Sequence, residues 1–209
     1  MTATDWKCRW HTEGVLSLIR PAAAEIEQQI AAAARLPVFA PHLLAPETGL
    51  LAGANLPFGF VHDRSQSVIG EGPAAFDAAK RAFVRWDMFN LGWAHVANAD
   101  AVIAAGQMIA VEFQTLRLWT LNLSRIIQVV DTPDRFGFTY ATTAMHVEQG
   151  EERFLIEFDP RTAQVCYALE AVSRPRAAFA RVAFPVARFF QRRFVRESHQ
   201  RMRKEAVAG

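Results

Sequence analysis

The sequence predicts an α+β fold in which a curved antiparallel sheet wraps around one long C-terminal helix. Two observations carry that reading. Between Arg117 and Leu169 four stretches each show a period-2 apolar row: Trp119, Leu121, Leu123; Phe136, Phe138, Tyr140; Phe154, Ile156, Phe158; Val165, Tyr167, Leu169. Alternation of that kind is the mark of strands with one apolar face. After them comes a helical stripe, Phe179, Val182, Val186, Phe189, Phe190 and Phe194, whose spacing suits a helix lying across such a face. A sheet gripping a helix leaves room for an interior cavity.

The elements follow in order. Residues 1–20, with Trp6, Trp10 and the apolar stretch from Val15 to Ile19, read as an N-terminal extension; residues 21–206 read as a single domain. Pro21 sits where a helix's first turn tolerates it, and Ala22 to Leu36 is rich in helix formers, which adds a helical element ahead of the sheet. Prolines and glycines between Pro37 and Pro57 exclude a long regular element there, and that stretch is a packed loop, a linker or a lid. A strand is expected over 59–70, a helix opened by Pro73 over 74–89, a short strand over 94–102 and another over 107–118. Turns are expected at 131–134, 148–151 and 159–162. Ser173-Arg174-Pro175 is expected to close the meander and start the last helix, with a kink or two abutting helices at Pro185.

Composition narrows the class. A chain of 209 residues, 51% hydrophobic and 21% charged, can bury a full core as one globular domain. Its apolar runs are interrupted well short of a bilayer span, and residues 1–9 have no apolar signal core, so a cytoplasmic protein is expected. Cys8 and Cys166 form neither a disulfide framework nor a metal-ligand spacing. Gly70-Glu71-Gly72 lacks the third glycine of a dinucleotide fingerprint, there is no nucleophile elbow, and no cofactor is expected. From Arg174 to Gly209 ten Lys/Arg face two acidic residues, so the basic charge gathers on the last helix. The plain reading is a solvated basic face. Peripheral contact with an anionic membrane is the functional one, while the missing interleaved aromatics argue against nucleic acid.

Six side chains stand out as candidate ligand contacts. Strand parity places Arg125 on the apolar row of Trp119, Leu121 and Leu123, where a guanidinium needs an anionic partner. Either it anchors the carboxylate or phosphate of a ligand, or it joins an internal ion pair, or a bulge turns it outward. Tyr140 and Tyr167 lie on apolar rows with hydroxyls to offer, and Trp86, Phe113 and Phe138 are candidate apolar walls. His146 stands near Glu148, Glu151 and Glu152, but these surround Gly150 in what reads as a solvent-facing turn, so neither metal binding nor catalysis is favoured there.

The run Arg135-Phe-Gly-Phe-Thr-Tyr140, then His146, Gly150-Glu-Glu-Arg-Phe154, Ser173-Arg-Pro175, Pro185 and Gln191-Arg-Arg-Phe194 resembles the bacterial and plant domain-of-unknown-function family numbered nineteen-ninety. Gly70-Glu-Gly72, Trp86, Gly92-Trp93, Gly106 and Arg125-Ile-Ile fit the same pattern upstream, so the resemblance covers about residues 18–202. The chain departs from it at Ala141-Thr-Thr-Ala-Met-His146, where the family has a glycine- and proline-containing turn. The resemblance implies no activity. Its element order is similar to the START-like helix-grip superfamily, whose members often enclose hydrophobic ligands. The expectation is a non-enzymatic module that binds a small hydrophobic or amphipathic molecule between sheet and helix. The alternatives are an enzyme using Tyr140 or His146 as acid/base, and an interaction domain docking to anionic lipid through its basic helix.

Overall fold

The computed structural model describes residues 15–39, 43–44, 56, 58–175 and 184–208. In chain order the elements are β1 (Val15–Ser17), α1 (Ala23–Ala33), β2 (Val61–Glu71), α2 (Gly72–Val84), a 3-10 turn (Asp87–Phe89), β3 (Ala94–Val96), β4 (Met108–Thr115), β5 (Leu118–Asp131), β6 (Arg135–Thr142), β7 (Glu148–Asp159), β8 (Gln164–Pro175) and α3 (Phe184–Val207). Seven strands form one antiparallel sheet in the order β2-β8-β7-β6-β5-β4-β3, and β1 adds to the start of β5. This is the curved sheet and C-terminal helix of a helix-grip fold, as the alternating rows predict.

The concave face holds the main core. Phe138, Phe154, Ile156 and Tyr167 from the meander meet Phe76, Ala79 and Phe83 of α2 and Met202 and Ala206 of α3. Pro73 in its first turn starts α2, and the chain leaves the helix through Trp86 in the left-handed region (φ 60°). The indole N–H of Trp86 donates to Ala101 O at 3.0 Å, which satisfies its one polar atom inside the core. At the other end of the helix layer, α3 is tied to β2 by His199, whose ring nitrogens contact Ser65 Oγ at 3.0 Å and Ser67 Oγ at 2.7 Å.

Three expectations are corrected. Leu121 and Leu123 do not join the concave core. They lie on the convex face under α1, packed with Ile26, Ala33, Met108 and Ala110. Arg125 shares that convex row, Ile126 faces the concave core, and a bulge between Ile126 and Gln128 then brings Val129 onto the concave side. Secondly, residues 148–151 are no turn. The strand β7 already begins at Glu148, and Gly150 lies inside it because a Cβ there would sit 2.1 Å from Val172 O on β8. Thirdly, the apolar stripe of the last helix is only partly inward; Ser173-Arg174-Pro175 does close the meander as the last residues of β8, residues 176–183 lie outside the described residues, and α3 is described from Phe184. Of the expected helical stripe, Phe179 and Val182 lie outside the described residues; Phe190 and Phe194 turn inward, but Phe189 is 63% exposed.

Candidate functional site

Beside the packed core, a cavity of about 970 Å³ lies between the concave face and the N-terminal half of α3. The core elements fill one end of the curved sheet, and α3 bridges the rest without filling it. Aromatic and aliphatic side chains make its walls: Phe89, Trp93, Phe113 and Val111 from one side, Leu169 from β8, and Phe190 and Phe194 from the helix. These rings pack at a tilt around the space, the centroid of Trp93 lying 5.8 Å from that of Phe113 and 5.9 Å from that of Phe190. The Trp93 indole is held by Glu197 at 2.6 Å and capped by the Arg193 guanidinium at 4.6 Å.

Polar residues line another part of the same cavity, and strand register explains why they meet. Tyr140 on β6 and Glu152 on β7 are direct cross-strand partners, and the Tyr140 hydroxyl donates to Glu152 Oε2 at 2.5 Å. Two residues along β7 the concave position is Gly150, which has no side chain, and two further is Glu148. Glu148 accepts from Ser173 Oγ at 2.8 Å and from the Gln191 amide of α3. Asp63 on β2 binds Arg188 through both oxygens, a bidentate pair closing the helix onto the sheet. His146, in the β6–β7 connection, is buried at the cavity with Nδ1 against the Glu148 backbone, 3.0 Å from its N–H and 3.1 Å from its carbonyl.

Electrostatics divide these carboxylates into two kinds. The Arg188 hydrogen bonds hold Asp63 below the usual carboxylate range, against the cost of its burial. Burial pushes Glu152 up to about 7, with the Glu148 charge adding to the shift and the Tyr140 hydrogen bond opposing it. Glu148 is raised by burial too, although Ser173 and the charge of Arg188 restrain it. Burial beside Glu152 moves the Tyr140 phenol well above its ordinary value, so that hydroxyl is a donor at any physiological pH. The cavity therefore offers an apolar body and an acidic, hydrogen-bonding polar region.

The comparisons with known proteins bear on this arrangement. A family model described as a domain of unknown function, DUF1990, matches residues 45–201. The chain belongs to the DUF1990 family. A UPF0548 protein of Dictyostelium discoideum is 32% identical over 153 residues, covering 68% of this chain and 71% of its own. One from Deinococcus radiodurans is 32% identical over 161 residues, covering 72% and 80%. Among solved structures, the chain is similar to Ara h 8.0201 (11% identity, TM-score 0.44, 72% of this chain and 100% of that one). It is also similar to the ginseng major latex-like protein 151 from Panax ginseng (9% identity, TM-score 0.45, 71% and 99%).

Within this DUF1990 chain the six expected contacts separate. Tyr140 and Phe113 line the cavity. Trp86, Phe138 and Tyr167 sit in the packed core beside it, and the Tyr167 hydroxyl is used by Ser198 Oγ at 2.8 Å. Arg125 is on the opposite face of the sheet. Its guanidinium donates to Ala34 O at 2.7 Å and Leu36 O at 3.2 Å, capping the C-terminal end of α1. Arg125 keeps to the row of Leu121 and Leu123, which is buried under α1 on the convex face, and the polar concave row of β5 is Thr120 and Asn122 instead. Sequence reasoning set Glu148 and Glu152 aside, with His146, as a solvent-facing turn, and it missed the pair Asp63 and Arg188. Extending the row Phe158, Ile156, Phe154 backward by the same period of two reaches Glu152 and Glu148. Of the basic residues on the last helix, Arg188 turns inward to Asp63, while Arg192 and Arg196 line the cavity from exposed positions. Among the described residues no helix is long and apolar enough to cross a membrane.

Proposed function

We propose that this protein binds a small amphipathic molecule in the cavity between the sheet and α3, holding it without transforming it. The observation that carries the reading is the cavity itself. About 970 Å³ is the size of a drug-like ligand site, and rings from both sheet and helix wall it. A ligand's apolar body lies against Phe113, Trp93, Phe190 and Phe194, and its polar end meets Tyr140 and Glu152. Trp86, Phe138 and Tyr167 support these walls from the core, and Arg125 takes no part.

Native mass spectrometry of the purified protein, followed by solvent extraction, tests the reading. A bound compound is expected in the natural chain and is lost in Thr120→Trp, which places an indole in the cavity while circular dichroism confirms an unchanged fold. An empty natural chain that also fails to take up an apolar fluorescent probe would sink the proposal.

A second reading, an enzyme using Tyr140 or His146 as acid/base, is favoured by one observation: both side chains line the cavity, and Tyr140 contacts a carboxylate raised to about 7. Incubating the extracted compound with fresh protein separates the two. Unchanged compound supports a binding module, and a converted compound supports the enzyme.

A further inference from the structure

Four carboxylates (Asp63, Glu148, Glu152, Glu170) and four arginines (Arg64, Arg188, Arg192, Arg196) line the cavity, but they are not evenly paired. Asp63 has Arg188. Glu148 and Glu152 have no cation within ion-pair distance among the described residues. Their hydrogen-bond donors are all neutral: Ser173 and Gln191 for Glu148, Tyr140 for Glu152. Arg188 reaches Glu148 through its field, but among the described residues no cation acts appreciably on Glu152. Tyr140 occupies Oε2 alone, and the other oxygen of Glu152 has no hydrogen-bond partner among the described residues. The acidity is therefore local to Glu148 and Glu152, since the lining as a whole has as many arginines as carboxylates.

A carboxylate withdrawn from water is unfavourable unless a cation or several donors meet it. Among the described residues none supplies a cation to Glu152, while aromatic faces suited to a positive charge, Phe89 and Phe113, line the same space. We infer that the cavity selects organic amines: an apolar molecule whose protonated nitrogen is received by Glu152, with Glu148 adding field and Tyr140 fixing the carboxylate's orientation. The ammonium N–H donates to the unpartnered oxygen of Glu152 while the phenol keeps the other. This inference rests on the cavity being the binding site and goes further by naming the chemistry of the ligand's polar end. Neutral alcohols lose the charge-assisted bond, and carboxylic acids meet like charge.

Three probes of one shape and different polar ends test it: 4-phenylbutylamine, 4-phenylbutan-1-ol and 4-phenylbutyrate, titrated calorimetrically at pH 8.5 into the full chain and into Glu152→Gln. The amine is expected to bind about tenfold tighter than the alcohol, and the acid most weakly. In Glu152→Gln the amine's advantage is expected to fall to within about threefold, with alcohol binding unchanged. Glu148→Gln repeats the test with a smaller expected loss, should the first variant fold poorly. If alcohol or acid binds as well as the amine, or the preference survives Glu152→Gln, the amine inference is overturned while the cavity reading stands. If none of the three binds, both fail together.

Discussion

Glu152 keeps its proton in the fold up to about pH 7, against an ordinary value of 4.5, because burial and Glu148 disfavour its charge. The folded chain thus holds a proton that the unfolded chain releases at lower pH. Stability from the protonated carboxyl is fully present below about pH 4.5 and is lost as pH rises through about 7. At pH 8 the ionised group destabilises the empty protein by an amount on the order of 3 kcal/mol. Glu152→Gln is therefore expected to raise the midpoint of thermal unfolding at pH 8 and to leave it nearly unchanged at pH 4.5, a difference that calorimetry reads directly. Arg125 makes the opposite kind of contribution. Its two bonds to the carbonyls of Ala34 and Leu36 fasten α1 to the convex face, so Arg125→Ala is expected to lose about 1–3 kcal/mol of stability in denaturant unfolding. Probe binding in the cavity should not change, because the side chain is on the far side of the sheet.

At the scale of elements, the β4–β5 hairpin shows a residue choice at odds with its geometry. Its two-residue loop, Leu116-Arg117, has both residues at positive φ, 52° and 65°, and Leu116 is 74% exposed. Such loops favour Asn-Gly, which adopts that conformation with little strain. Leu116→Asn with Arg117→Gly is expected to stabilise the chain by about 1 kcal/mol in urea unfolding. The meander and final helix were legible in the sequence because their apolar rows at Phe138, Phe154 and Tyr167 repeat without interruption. The failures share one cause. An apolar row in one strand does not say which layer covers it, and the row of Leu121, Leu123 and Arg125 lies under α1 on the convex face rather than against α3. Gly150 misled in the other direction, since a glycine amid charges reads as a turn. It is there because β8 passes too close for a side chain, a fact about two strands that no single segment contains. Glu148 and Glu152 were hidden by that misreading, and Asp63 and Arg188 are far apart in sequence. The cavity exists only through pairing across elements.

For the whole molecule, the decisive feature is that β2 pairs with β8, Val61 lying opposite Ser173, and that α3 then packs on β2. The strand near the start of the sheet thus waits for the one at its end. Closing a loop of that length before any local reward is slow, so folding is expected in the range of milliseconds to seconds rather than microseconds, measurable by stopped-flow fluorescence of the tryptophans. A chain ending at Phe158 retains β3 to β7 but leaves β2 unpaired and α2 without its helical partner. It is expected to show no cooperative unfolding transition. On the ribosome the same order has a further effect. The strands made first emerge with unsatisfied edges and stay exposed until the last fifty residues arrive, so protection from aggregation during synthesis must come from outside the chain.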